Sequence, residues 1–294
     1  MNLGSKKLVG GAAGVCLVGG ALLIVFSYLP ESAGVAGNVL EVGSGVNYDY
    51  EKIQDAINAS SDGDVIIVYD GTYQENIIVN KSVTLKAGST PVIDANGGVG
   101  ITIDANNSLI EDMIVTNCSL GVFVHNESFM VQHVTIFNIT INDIIGDAKR
   151  GILFDNVTNS SIDACTIPKI QSDEDAYAIY LLKSTYNNIK GIEIGEITGV
   201  QTTYAISLSN AHNNNMTLSQ NTGNISSTGH AAYSIFLDWS NNNSVTTLDF
   251  GDILGLQGDG FGVVLGSADD NIIGTGDFGE IVGQDGNAGG VRLM

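Results

Sequence analysis

A short pattern recurs along the chain with a period near 28 residues, and this repeat limits the possible folds more than any other feature. Each copy begins with a small residue, here called the lead residue, followed by an apolar residue, any residue and a second apolar residue. The lead residues are Gly100, Gly121, Gly151, Ala178, Ala205, Ser234, Gly262 and Gly290. Repeats of this length bury their apolar faces by stacking on their neighbours. A solenoid is therefore predicted beyond residue 98.

The later repeats contain two further apolar positions. One lies eleven residues after the lead residue and follows Ser or Asn, as at Ile162, Ile189, Met216, Val245 and Ile273. Another lies 19 or 20 residues after it, as at Ile170, Ile197, Ile225, Ile253 and Ile281. Three short strands per repeat indicate stacked parallel coils. A leucine-rich repeat has a similar period, but it needs a regular Leu pattern and a return segment that are missing here.

The segment before these repeats has its own pattern of apolar residues and turns. It contains Ile53-Gln54, Ala56-Ile57, Gly63-Asp64, Gly71-Thr72-Tyr73, Glu75-Asn76, Lys81-Ser82 and Thr84-Leu85. With the later coils, this pattern resembles the right-handed parallel β-helix proteins of the pectate-lyase-like superfamily, over roughly residues 50 to 294. The resemblance implies a right-handed parallel β-helix. The predicted fold is therefore all-β, with three short strands per coil, an N-terminal helical cap and an N-terminal hydrophobic export segment that the residues before the coils predict.

The N-terminal segment is predicted to direct export. Lys6 and Lys7 precede an apolar run from Leu8 to Phe26, and positive charge before such a run keeps that end inside the cell. Residues 1–36 are a signal peptide, cleaved after Ala36, or a membrane anchor, and both alternatives stay open. Either one places the rest of the protein outside the cell or on its surface, with membrane contact only through residues 8–26.

The remaining chain is predicted to form one elongated domain. Residues 37–60 are assigned to a linker and a capping helix from Tyr50 to Ala59, with Asp49 as its N-cap. Residues 61–294 are assigned to a β-helix of about nine coils, possibly truncated at its C-terminus, with Leu208 and Leu237 facing the interior. Only Cys118 and Cys165 lie outside the N-terminal segment, so a disulfide scaffold is not expected.

Charge excludes one class of partner. The formal net charge is −21, so phosphate backbones are repelled and nucleic-acid binding is not expected.

Strand alternation assigns the side chains to faces. We expect the first and third residues after each lead residue to point inward, and the lead residue and the second and fourth residues after it to point outward. The residue before the lead residue then points inward as well. In four successive coils that residue is aromatic, at Tyr177, Tyr204, Tyr233 and Phe261. An internal aromatic ladder and hydrogen-bonded Asn turns are therefore predicted to hold the coils together.

The outward positions contain the candidate ligand site. The fourth position after the lead residue gives a column of Asp104, His125 and Asp155 on consecutive coils, and apolar side chains at the second position lie beside it, at Phe123, Tyr180 and Phe236. Together these six residues are predicted to bind a polysaccharide or an envelope glycan. Asp104, His125 and Asp155 are also the candidate catalytic residues, because hydrolysis of a glycosidic bond uses two carboxyl groups. A lyase needs a basic residue, and this assignment places only Arg292 on the outward face of the lead strands.

Two further kinds of site are predicted from the loops. Asp173, Glu174 and Asp175 are the best calcium candidates, since calcium takes oxygen ligands, although the alternative is simply an acidic exterior. No other cofactor is expected. Eleven Asn-x-Ser/Thr sequences occur, and glycosylation is predicted at Asn126, Asn156, Asn215 and Asn242.

Two functions fit these patterns. The favoured one is an exported cell-surface β-helix that binds or scaffolds glycans, without necessarily being an enzyme. The alternative is an extracellular polysaccharide hydrolase or lyase, because function lies in sites carried on the fold rather than in the fold itself. The sequence stops within the repeat that begins at Gly290, so either the protein is longer or two copies stack end to end.

Overall fold

A computed structural model describes residues 14–18, 21–25 and 37–294, except residues 148, 219–221, 247–248 and 275. The chain divides into two units, Met1–Ala36 and Gly37–Met294. In the first unit, strands Gly14–Val18 and Ala21–Val25 pair in an antiparallel hairpin. Most of the predicted export segment lies outside the described residues. Among those described, no helix has the length and apolar character needed to cross a bilayer.

The second unit is a parallel β-helix in which each turn, here called a coil, adds one strand to each of three sheets. Sheet 1 contains the strands that carry the lead residues and has nine strands. They are Ile77–Val79, Val99–Ile103, Leu120–Val124, Lys149–Asp155, Ala176–Leu182, Thr203–Ser209, Ala232–Asp238, Gly260–Gly266 and Ala288–Leu293. Each strand pairs in parallel with the strands of the coils before and after it. The prediction of about nine parallel coils is confirmed.

Sheets 2 and 3 complete each coil. Sheet 2 contains Val39–Val42, Val65–Val68, Thr84–Ala87, Leu109–Glu111, Thr135–Phe137, Ser161–Asp163, Asn188–Gly199, Asn215–Leu218, Ser244–Thr246 and Ile272–Gly274. Sheet 3 contains Thr72–Tyr73, Val92–Asp94, Ile114–Thr116, Thr140–Ile141, Ile144–Gly146, Thr166–Ser172, Ile225–Ser227, Ile253–Gly255 and Ile281–Gly283. Strand Asn188–Gly199 runs through both sheets. Val131–Gln132 and Val157–Thr158 form a separate small pair.

The segment from 37 to 60 differs from its prediction as a linker and helix. Its strand Val39–Val42 already pairs with Val65–Val68. The helix spans Ile53–Ala59 rather than starting at Tyr50, because Tyr50 forms a β-bridge with Val42. Asp49 is not its N-cap: the Asp49 carboxylate accepts the N–H of Glu41 instead. The helix packs Ile53, Ala56 and Ile57, all fully buried, against the first coils.

A side chain distant in sequence takes over the role predicted for Asp49. The two carboxylate oxygens of Glu75 accept the N–H groups of Ile53 and Gln54 at 3.0 and 2.9 Å. These are orphan donors at the start of the helix, which normally need a capping acceptor. Glu75 therefore ties the helix to the coil that follows it.

The core fills the space between the three sheets. Leu208 and Leu237 are completely buried, as predicted. The lead residues also point inward, which corrects the predicted alternation. A Cβ at Gly151 would lie 2.6 Å from both the carbonyl oxygen of Ala178 and Cδ1 of Ile167, and Ala178 itself is fully buried. Two successive residues thus face the core in each of these strands, so the residues before the lead residue face outward.

The turns between sheets 1 and 2 contain the predicted amide ladder. The buried side chains of Asn187, Asn214 and Asn243 are linked from coil to coil, and each amide also satisfies the backbone of its neighbours. Many turn positions have positive φ, where Asn is favoured because its short polar side chain tolerates the left-handed conformation.

Cys118 and Cys165 are buried and free.

Candidate functional site

The outer face of sheet 1 carries an aromatic cluster that the sequence prediction had placed inside. Tyr177, Tyr204, Tyr233 and Phe261 lie in register on four consecutive strands. Because the lead residue that follows each of them turns inward, these rings point outward, where the three tyrosines are half-buried. The predicted internal ladder is therefore wrong about the face, although the column itself exists.

The rings of this cluster contact each other. Tyr177 and Tyr204 stack with centroids 4.7 Å apart and an interplanar angle of 9°, so one face of each ring covers the other. Tyr180 stacks on Tyr177 at 4.9 Å. Phe236 is turned 65° from Tyr204 and 30° from Tyr233. Phe236 therefore interrupts the face-to-face stack.

Burial in this cluster keeps the tyrosines neutral. Desolvation is the largest cause that raises the pKa of both Tyr177 and Tyr204, and the nearby Asp175 charge adds to it. Asp175 and Thr202, on the adjacent loops, lie close to the hydroxyls of Tyr177 and Tyr204 respectively. These side chains and the neutral hydroxyls give the aromatic face a polar rim.

An open groove of about 580 Å³ lies beside Phe236. It runs between the aromatic face of sheet 1 and the loops that follow sheet 3, and is lined by Tyr204, Tyr233, Phe236, His230, Asp259 and Asp285, among others. Its floor is aromatic and its walls are largely polar or glycine-rich, so ring contacts and hydrogen-bonding groups are both available to a ligand. The sequence prediction had placed Phe236 at the ligand surface, but not the loops that close the groove.

Asp259 is the acidic group most firmly held in this groove. It accepts the N–H of Asn287 at 2.7 Å and pairs with the guanidinium of Arg292, which lies 5.2 Å from the centroid of the Phe261 ring. The backbone hydrogen bond from Asn287 is the largest cause that holds the pKa of Asp259 below its usual value. The wall of the groove therefore carries a fixed carboxylate, Asp259, and the neighbouring cation, Arg292, is already paired with it.

The predicted column of Asp104, His125 and Asp155 lies further along the same outer face. Each of them directly follows one of three residues that pair in register on consecutive strands, namely Ile103, Val124 and Phe154. The Nδ1 of His125 is 3.3 Å from Oδ2 of Asp155, and the imidazole is parallel to the ring of Phe123, with centroids 5.2 Å apart. Burial raises the pKa of Asp104. The structure therefore brings Phe123, His125 and Asp155 into contact and places a more easily protonated carboxyl group beside them.

Arg150 is a site residue that the sequence analysis missed. It occupies the column of Tyr177, one coil earlier, and its guanidinium lies 5.3 Å from the centroid of that ring. The predicted face assignment had excluded it. Arg150 Nε is buried and has no hydrogen-bond partner among the described residues. An unpaired buried donor is costly, so the contact with the Tyr177 ring is the interaction that holds this guanidinium.

The calcium candidates Asp173, Glu174 and Asp175 lie on the loop between the strands Thr166–Ser172 and Ala176–Leu182. Oδ1 of Asp175 accepts the N–H of Thr202 in the next coil, while Asp173 and Glu174 are exposed. Within the described ranges, no group of three or more His, Cys, Asp or Glu side chains is arranged to hold a metal ion. A calcium site at Asp173, Glu174 and Asp175 stays a prediction.

The predicted glycosylation sites differ in how their amides are used. Asn126 Nδ2 donates to the carbonyl of Asp104, Asn156 Nδ2 to that of Phe129, and Asn215 Nδ2 to Oδ1 of Asn188. Asn242 is exposed, and its side-chain amide forms no hydrogen bond with the described residues. The nitrogen that would carry a glycan is therefore already engaged at three of the four sites.

Comparison with known proteins gives one match by sequence and several by fold. No protein-family model matches the sequence. A cell surface glycoprotein of Methanothermus fervidus is 37% identical over 126 residues, which are 42% of this chain and 21% of the relative. The chain therefore matches only about a fifth of that relative's length.

Solved structures with a similar fold have low sequence identity. Pectate lyase Pel9A has 12% identity and a TM-score of 0.46 over 80% of each chain. An alginate lyase from Paenibacillus sp. str. FPU-7 has 13% identity and a TM-score of 0.37 over 82% of this chain and 96% of that one. The three parallel sheets described above show that this chain has the parallel β-helix fold expected from its resemblance to the pectate-lyase-like superfamily.

Proposed function

We propose that this protein is a cell-surface β-helix that binds a neutral glycan along the outer face of sheet 1. The groove beside Phe236, floored by Tyr204 and Tyr233, is the observation that carries the proposal. Aromatic side chains pack against the apolar faces of sugar rings, and the surrounding carboxylates and hydroxyls accept or donate hydrogen bonds to sugar hydroxyls. The partial match to a protein named cell surface glycoprotein supports the location.

Charge favours a neutral glycan over an acidic one. The formal net charge is −21, and Asp259 and Asp285 line the groove. Arg292, the nearest cation, is already paired with Asp259. A uronate polymer would therefore meet repulsion at the groove wall, whereas an uncharged chain would not.

A glycan array with the full chain tests this function. We expect binding to uncharged oligosaccharides, lost or weakened at least tenfold in Phe236→Ala. Phe137→Ala is the matched control, since Phe137 is an outward aromatic residue on sheet 2, and it should bind as the parent does. Binding restricted to uronate polymers, or equal losses in both variants, would contradict the proposal.

A polysaccharide-cleaving enzyme is the second candidate, because His125 lies against Asp155 while burial raises the pKa of Asp104. A carboxyl group that protonates more readily, two coils from a second carboxyl group, supplies the two acids that glycoside hydrolysis uses. Incubation of the glycans that bind should then release reducing ends, and Asp104→Asn should abolish the release. Calcium binding, membrane attachment through residues 8–26 and end-to-end stacking stay predictions.

A further inference from the structure

Trp239 has an exposure that the fold does not explain. It lies in the turn after the sheet 1 strand Ala232–Asp238, with φ of 49°, and 61% of its surface is exposed. The equivalent positions in neighbouring coils, Lys183, Asn210 and Ser267, have φ of 49°, 50° and 46°, so the left-handed conformation belongs to the turn itself. A left-handed conformation costs an ordinary residue about 1–2 kcal/mol, and Asn tolerates it better. The fold alone would therefore favour Asn at this position.

The turn around Trp239 is fixed by hydrogen bonds to the coils on both sides. Ser240 Oγ accepts the N–H of Ala211, and the backbone N–H of Trp239 donates to the carbonyl of Gly266. The buried amide of Asn243 belongs to the Asn ladder. Trp239 is thus held on a rigid turn with its indole directed away from the core.

Asn242, three residues further on, is available for modification. It begins the sequence Asn242-Asn243-Ser244, is exposed, and has φ of 57°. Its side-chain amide forms no hydrogen bond within the described part of the chain. Three residues span at most about 10 Å, so the first sugar of a glycan on Asn242 can reach the indole of Trp239.

The eleven Asn-x-Ser/Thr sequences divide into three groups. Five donate Nδ2 to another coil: Asn117, Asn126, Asn138, Asn156 and Asn215. Three accept a hydrogen bond through Oδ1 only: Asn58, Asn106 and Asn224. The last three are exposed and have no side-chain hydrogen bond to a described residue: Asn80, Asn159 and Asn242. These three all lie in turns that follow sheet 1 strands, so they share one edge of the β-helix.

We propose that this edge carries N-linked glycans at Asn80, Asn159 and Asn242, and that Trp239 packs against the first sugar at Asn242. The inference does not depend on glycan binding in the groove of sheet 1. An attached glycan would offset the strain at Trp239, because an aromatic ring gains contact with the apolar face of a pyranose.

The modification needs a lipid-linked sugar phosphate as donor and a transferase of the export pathway. The Asn Nδ2 forms a bond to the anomeric carbon of the first sugar while the bond from that carbon to the phosphate oxygen breaks. The amide loses one proton, and the lipid phosphate is the leaving group. No oxidation or reduction takes place.

Site occupancy tests the proposal. The full chain is expressed in a eukaryotic secretory host, its glycans are removed enzymatically in heavy-oxygen water, and the labelled Asp residues are located by peptide mass spectrometry. We expect occupancy at Asn242, Asn159 and Asn80 to be at least fivefold higher than at Asn156 and Asn215. An unoccupied Asn242, or equal or higher occupancy at Asn156 or Asn215, would overturn the proposal.

Thermal unfolding tests the contact with Trp239. Ser244→Ala removes the glycosylation sequence without changing Asn242. In that unglycosylated background, Trp239→Asn should raise the Tm, because Asn relieves the left-handed strain. In the glycosylated protein the same substitution should lower the Tm. Trp239→Phe should keep most of the stabilisation that the glycan contact provides. Shifts of the same sign and size in both backgrounds would show that Trp239 does not contact the glycan.

Discussion

The side-chain amide of Asn214 donates a hydrogen bond to Oδ1 of Asn243 in the next coil, over 3.0 Å. The same amide donates to the carbonyl of Ser184, and its Oδ1 accepts from the backbone and side chain of Asn187. All of these groups are buried. One side chain therefore satisfies polar groups in three coils, which makes the Asn ladder a main connection along the β-helix axis.

Asn214→Ala should be among the most damaging substitutions in the turns. It leaves buried donors and acceptors unpaired on both neighbouring coils, and each unpaired group costs about 1–3 kcal/mol, so we expect a loss of about 2–5 kcal/mol. Asn215→Ala is the control, since its amide is exposed and makes one side-chain contact. Urea unfolding measures both, and equal losses would show that the ladder is not a special source of stability.

Gly121, the lead residue of the second repeat, should not tolerate a larger side chain. A Cβ at Gly121 would contact Ile141 and lie 2.7 Å from the carbonyl oxygen of Gly151. Gly121→Ala should therefore cost about 3 kcal/mol or more, the upper part of the range for overpacking. Gly290→Ala, at the same position of the last repeat, meets open space. Its Tm should stay close to that of the parent, and a comparable loss there would contradict this explanation.

The repeat spacing was enough to predict the coils, because the apolar residues after each lead residue, such as Leu208 and Leu237, must fill a narrow interior. Simple alternation failed at the lead residue itself. There the backbone of the next coil approaches so closely that a second inward position can hold only a small residue. The sequence signal for this was the small lead residue in all eight copies. A position that faces solvent would accept larger residues, so a position that is always small indicates close packing. Recognising it would have placed Tyr177 and Arg150 outside.

The groove and the helix cap could not have been predicted from local sequence. Glu75 caps a helix whose first residue lies 22 positions earlier in the chain, so the contact depends on how coils stack. The groove beside Phe236 likewise depends on loops from successive coils. Spacing rules describe neighbours along the chain, whereas both features join residues brought together only by the completed β-helix.

Glu75→Ala should weaken the docking of the helix. Without the carboxylate, two N–H groups at the helix start lose their acceptor, and loss of a capping side chain costs about 1–2 kcal/mol. Asp49→Ala is the control, because Asp49 is bonded to Glu41 and not to the helix. Amide hydrogen exchange should show faster exchange of Ile53 and Gln54 in the Glu75 variant only. Unchanged exchange there would show that the helix is held by its apolar face alone.

Acid should destabilise the first coils partly through Asp64. Its carboxylate accepts the N–H groups of Ser61 and Asn38, both at 2.7 Å, and the Ser61 bond is the largest cause that lowers its pKa below 3.8. Because this pKa is depressed in the folded state, the contribution is complete above about pH 4 and is lost as pH falls through the folded pKa. Asp64→Asn should flatten the Tm profile below pH 4, whereas Asp55→Asn, on the exposed helix surface, should not. Parallel profiles for all three proteins would contradict this assignment.

The column of Phe123, His125 and Asp155 offers the sharpest test of where the glycan lies. Phe123 stacks on His125 on the outer face of sheet 1, where both side chains are half-buried. Its removal should cost about 0.5–1.5 kcal/mol for the lost ring pair, in addition to the smaller buried area of the ring. If the glycan extends from the groove to this column, Phe123→Ala and Asp155→Asn should each weaken binding about tenfold, or about 1.4 kcal/mol. Calorimetric titration with the best oligosaccharide from the array measures this. Binding equal to the parent in both variants, together with loss in Phe236→Ala, would confine the site to the groove and leave the column a structural feature.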